Sequence, residues 1–76
     1  MNKMIRFAAI GLDHRHIYHL VGGLLAAGAE CAGYCAETSD PLVHHGFRER
    51  FPTLSAIPRQ RLLEDKTIDV ICCAAI

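Results

Sequence analysis

The chain has 76 residues, 51% of them hydrophobic and 21% charged, and its eight basic and eight acidic side chains balance to zero net charge with histidine neutral. This composition suits one small packed domain rather than a disordered chain, and it supplies no basic field for nucleic acid or an anionic membrane. No apolar run approaches the roughly 20 residues of a membrane-spanning helix, and no apolar region ends in a small-residue cleavage site of the secretory kind.

Met4–Ile10 is an apolar run broken only by Arg6, of strand length and suited to burial on both faces. A turn follows, Gly11-Leu12-Asp13-His14-Arg15-His16. Ile17, Leu20, Val21, Leu24 and Leu25 then recur at i, i+3, i+4, i+7 and i+8, the stripe of an amphipathic helix. Gly22 and Gly23 weaken that helix but permit close packing, and Gly28 stands where it should end.

Ala29–Ala36 reads as a second strand. Thr38, Ser39 and Asp40 offer N-caps, Pro41 suits a first helical position, and a helix with Leu42, Val43 and Phe47 inward runs to about Arg50. Pro52 ends it, and Thr53–Ile57 is a candidate third strand. Pro58 opens a short helix carrying Leu62 and Leu63, Lys66-Thr67 makes a turn, and Ile68–Ile76 is a buried strand.

Strands alternating with helices imply an α/β fold with a parallel sheet and right-handed crossovers. The expected architecture is a Rossmann-like doubly wound sheet of order 3-2-1-4, incomplete, holding the first three to four strands with their helices. The last strand would be an exposed apolar edge, which predicts further strands beyond Ile76.

Cys31, Cys35, Cys72 and Cys73 show no C-x-x-C spacing, and adjacent Cys72 and Cys73 cannot jointly hold an ordinary structural zinc ion. They read as small buried hydrophobes in a reducing, cytoplasmic compartment. Cys31 and Cys35, an even number apart, are expected on one side of a strand and Cys72 and Cys73 on opposite sides.

The first turn carries the chemistry. A strand, a tight glycine and a helix start form the phosphate-binding opening of a dinucleotide unit, where backbone N–H groups and the helix dipole favour an anion. The pattern G-x-G-x-x-G would place glycine at 11, 13 and 16; the chain has Gly11, Asp13 and His16. Asp13 either lies near the phosphates or caps the helix and competes for the same donors. Arg15 offers a compensating guanidinium, and His14 and His16 further donors. Glu37, after the second strand, is either an acceptor for the adenosine ribose hydroxyls, where its charge would favour NAD over NADP, or an ordinary loop carboxylate. It lies somewhat later than the roughly 20 residues of the pattern.

Asp13, His14, His16 and His19 invite a metal reading, with His16 and His19 on one helix face. His14 and His16 diverge, however, so no metal site is expected. His44-His45 reads as an exposed helix face. These residues contain no credible acid or base, so the chain alone is not expected to be catalytic.

Several words in order resemble the N-terminal part of the glucose–fructose oxidoreductase / inositol dehydrogenase / MocA family. They are Ile5-Arg6-Phe7-Ala8-Ala9-Ile10-Gly11, His19, Gly28-Ala29-Glu30, Phe47-Arg48-Glu49-Arg50-Phe51-Pro52, Leu62-Leu63-Glu64-Asp65 and Ile68-Asp69-Val70-Ile71. The resemblance covers almost the whole chain. In that family Gly11 and His19 match G-x-G-x-x-G-x-x-H, while Asp13 and His16 depart from it; the ribose-binding Asp would fall near Ala36, making Glu37 a shifted substitute.

The resemblance implies that residues 1–76 are the N-terminal part of an NAD(P)-binding domain. The parent oxidoreductase would act on a sugar, polyol or related hydroxyl compound and oligomerise with itself. The segment near the nicotinamide would begin at Ala74-Ala75-Ile76, and the Glu-Lys-Pro lysine motif and substrate domain would follow. The alternative is a degenerate Rossmann-like module that binds no dinucleotide and serves in assembly or regulation.

Overall fold

The computed structural model describes residues 4–74. Three strands, β1 (Arg6–Leu12), β2 (Glu30–Tyr34) and β3 (Val70–Ala74), form a parallel sheet of order β2-β1-β3. Three helices connect them: α1 (His16–Ala26), α2 (Pro41–Arg50) and α3 (Arg59–Glu64). The fold is α/β and Rossmann-like, as expected. The expected third strand shrinks to a single parallel bridge between Tyr34 and Ala56 on the outer side of β2, so the 3-2-1-4 order survives with its first member rudimentary.

Alternation along β1 sorts the core into two layers. Phe7 and Ala9 pack with Ile17 and Val21 of α1 and with Val43 and Phe47 of α2. Ala8 and Ile10 face the other way, onto Leu62 of α3 and Cys35. Phe7 and Phe47 are fully buried, each contributing about 1.5–3 kcal/mol by its burial. Phe47 meets Tyr34 and Phe51 with tilted rings, centroids 4.6 and 4.9 Å away.

The helix stripes are narrower than expected: Leu20, Leu42 and Leu63 are exposed. His44 departs too. It lies partly buried with its ring 5.9 Å from that of Tyr34, and its Nε2 has no hydrogen-bond partner among the described residues; His45 is exposed and pairs with Glu49.

Two helix ends follow their predicted signals. Gly28, at φ +93°, closes α1: its N–H donates to Leu25 O at 3.0 Å and that of Ala29 to Leu24 O at 2.9 Å. These two bonds satisfy carbonyls that the helix leaves orphaned. Asp40 caps α2, accepting from Leu42 N–H at 3.0 Å.

A bulge in β2 overturns the expected placement of Cys31 and Cys35. Phe7 pairs with Cys31 but Ala8 with Gly33, so Ala32 is an extra residue and the alternation slips there. Cys31 joins the layer under α1 and α2, whereas Cys35 is buried under α3. Gly33 has φ +154°, and a Cβ there would lie 2.6 Å from Ile57 Cδ1. Cys72 and Cys73 do face opposite sides, buried and exposed respectively.

Arg6, the one charge in the first apolar run, sits at the N-terminal edge of the sheet. Its guanidinium donates to Thr67 Oγ1 and lies 3.6 Å from Glu30 and 3.9 Å from Asp65. Its backbone N–H donates to Asp69 Oδ2 at 3.0 Å. This edge ties the strands together; the chemistry expected of the chain lies at the opposite one.

Candidate functional site

All three parallel strands end at one sheet edge, where the loops to the helices begin. This is the edge at which open α/β sheets bind ligands. Leu12 pairs with Ala74 there, so the β1–α1 turn and the end of β3 are neighbours. Of the expected site residues, Gly11, Leu12, Asp13, His14, Arg15, His16 and Ala74 gather at this edge; Ala75 lies outside the described residues.

Gly11 does not make the turn itself. It lies inside β1, at φ +89°, where the pairing with β3 is irregular between Ala9 and Leu12. A side chain is strained at that φ, which explains the glycine. The turn proper is Asp13-His14-Arg15.

The N-cap position of α1 falls on Arg15, two residues after Asp13. Asp13 Oδ1 accepts from the backbone N–H of Ser39 at 2.6 Å and from the Ser39 hydroxyl at 3.0 Å. Beside it the Thr38 hydroxyl donates to Leu12 O at 2.5 Å and accepts from Asp40 N–H at 2.9 Å. The β1–α1 turn is therefore tied to the β2–α2 loop.

The N-terminal flank of α1 is Arg15, in helical conformation and with no side-chain cap. His14 takes over part of that work, its Nδ1 accepting from His16 N–H at 3.1 Å with the two rings stacked at 4.4 Å. Ile17 N–H donates to His14 O at 3.2 Å and Tyr18 N–H to Arg15 O at 3.0 Å. No acidic residue lies within the first turn of α1 to offset the positive end of its dipole. The Arg15 side chain is exposed, with no hydrogen bond or ion pair among the described residues.

Glu37 lies beyond the end of β2 and is paired with Arg59, 3.4 Å away at the start of α3. Both are more than half exposed, so the pair contributes at most about 1 kcal/mol. Sequence reasoning missed Arg59, because no local pattern relates it to Glu37.

No group of three or more His, Cys, Asp or Glu side chains among the described residues could hold a metal ion. The four cysteines are free. Burial pushes the Cys31 and Cys72 thiols above their ordinary range, partly offset at Cys31 by Gly33 and Arg6 and reinforced at Cys72 by Cys31. Bonds from the Thr67 hydroxyl and backbone N–H hold the Asp65 carboxyl below its own. No helix among the described residues is long and apolar enough to cross a membrane.

No family model matches the chain, and no curated protein matches it. Among solved structures, it is similar to a proposed oxidoreductase from Erwinia carotovora atroseptica SCRI1043. The identity is 45% over 95% of this chain, with a TM-score of 0.80. The chain spans 21% of the length of that protein.

Proposed function

We propose that the chain is the cofactor-binding N-terminal portion of an NAD(P)-dependent oxidoreductase of the glucose–fructose oxidoreductase / inositol dehydrogenase / MocA family. Its substrate would be a sugar, polyol or related hydroxyl compound, bound by a domain outside these residues. The carrying observation is the 45% identity to the proposed oxidoreductase from Erwinia, aligned over 95% of this chain.

The residues at the C-terminal sheet edge fit a dinucleotide in part. The first turn of α1 has its N–H end without an acidic side chain, and Arg15 is available beside it for a phosphate. Glu37 supplies an acceptor for ribose hydroxyls. Its partner Arg59 offsets the charge that would repel a 2′-phosphate, so both nucleotides are candidates. When bound, the nicotinamide supplies the hydride chemistry; this chain's residues grip and orient the phosphates and ribose.

The second reading, a module that binds no dinucleotide and serves in assembly or regulation, draws on the bonds from Ser39 to Asp13 and from Thr38 to Leu12. They span the space between the β1 and β2 loops that a ribose and pyrophosphate would share. Titrating the protein with NADH and with NADPH by calorimetry separates the two. Saturable heat with either nucleotide is expected; no heat with both would overturn the cofactor reading. A cytoplasmic location and self-association belong to the same proposal.

A further inference from the structure

A concave groove of about 450 Å³ opens between the first turns of α1 and the outer face of α2. Its charged lining is of one sign: Arg15 from the turn and Arg50 from the end of α2, with the imidazoles of His14, His16 and His19 around them. No carboxylate among the described residues lines it, although the chain as a whole is neutral. Arg6 meets Glu30 and Asp65, and Arg59 meets Glu37, while Arg48 and Arg61 have no acidic partner among the described residues. Arg15 and Arg50 have no such partner among the described residues.

Arg50 is held in place without being neutralised. Its guanidinium carbon lies 4.2 Å from the centroid of the Tyr18 ring, and its Nη1 is 3.4 Å from Gly46 O. Tyr18 is itself fixed by a 2.8 Å bond from its hydroxyl to Val43 O. A Cβ on Gly46 would collide with that hydroxyl, so the glycine is what allows ring and guanidinium to stack here. A stacked guanidinium loses less freedom on binding and keeps its outer N–H groups for an oxyanion.

We propose that this α1–α2 groove binds a phosphoryl group of the cofactor, clamped by Arg50 and Arg15 through side-chain charge. The clamp replaces the backbone cradle that glycines at positions 13 and 16 would have formed. The inference rests on the cofactor reading given under Proposed function. Arg50 comes from a different helix than the turn, and nothing in the first-turn pattern points to it.

The test measures Kd for NADH and NADPH by nucleotide fluorescence, on the wild-type protein and on Arg50→Met, Arg50→Lys and Arg48→Met. Arg50→Met raises Kd about tenfold or more, Arg50→Lys recovers part of the loss, and Arg48→Met, on another face of α2, leaves it unchanged. An equal loss for both nucleotides assigns the clamp to the pyrophosphate; a loss confined to NADPH assigns it to the 2′-phosphate. The Arg50 side-chain N–H resonance of the wild-type protein also shifts on adding pyrophosphate, a readout that needs no variant.

Nucleotide binding that a folded Arg50→Met leaves within twofold overturns this inference alone, as does an Arg50 resonance unmoved by saturating pyrophosphate. No binding of either nucleotide overturns the cofactor reading and this inference together.

Discussion

Asp13 reaches across from the β1–α1 turn to Ser39, accepting both its backbone N–H and its hydroxyl at 2.6 and 3.0 Å. The carboxylate thus joins two loops that lie far apart in sequence. Because two bonds share one acceptor oxygen, the effects of removing either side should not add. Asp13→Ala is expected to lower stability by about 0.5–1.5 kcal/mol for each bond lost, and Ser39→Ala by less, since it keeps the backbone donor. The double variant should be less destabilised than the sum of the singles in denaturant titrations. Strict additivity would contradict the bridge.

Glycines 33 and 23 should respond in opposite directions to alanine. At Gly33 the new Cβ would lie 2.6 and 2.8 Å from two carbons of Ile57 and 3.2 Å from Ser55 O, at a positive φ. Gly33→Ala is expected to destabilise by about 1–3 kcal/mol. At Gly23, within α1, nothing lies within 4 Å, and Gly23→Ala should stabilise by about 0.5–1 kcal/mol. Thermal melts of the two variants check both signs.

Stability should fall in alkali through two thiols. Burial raises the folded-state pKa of Cys31 and Cys72, so the unfolded chain gives up these protons first as pH climbs past the ordinary thiol value of 9.0. Their contribution is complete below that value and is lost as pH rises through the raised one. Urea midpoints measured from pH 7 to 10 should decline less steeply for Cys31→Ala/Cys72→Ala than for the parent.

Asp65 should act at the other end of the scale. Thr67 bonds lower its pKa from the ordinary 3.8, so its contribution is present above that value and disappears as pH falls through the lowered one. Asp65→Asn should flatten the acid limb of the stability profile measured from pH 5 to 2. An unchanged limb would mean that the Thr67 bonds do not differ between folded and unfolded chains.

Thiol accessibility offers a direct check on the bulge. Cys73 is exposed, Cys31 partly buried, and Cys35 and Cys72 buried in opposite layers. Under native conditions a thiol reagent should modify Cys73 first, and Cys35 and Cys72 only at the rate at which the fold opens.

Much of the fold was legible because its signals are local. The apolar runs, the stripe at Ile17 and Val21, Asp40 before Pro41, and Gly28 after α1 each act within one element or its next turn, and the structure places them as the pattern implies. The sheet order follows from the alternation of strands and helices with right-handed crossovers. With that order, one edge of the sheet gathers Gly11 through His16 with the end of β3.

The tertiary structure decided which side chains meet at that edge. The β2 bulge breaks the alternation that would have put Cys31 and Cys35 together, because it is defined only by pairing with β1. Asp13 with Ser39, Glu37 with Arg59, and Arg50 over Tyr18 each join residues more than 20 positions apart. Such partners depend on how whole elements pack. Periodicity reports the face a residue occupies within its own element, and carries no record of what the packed chain brings against it.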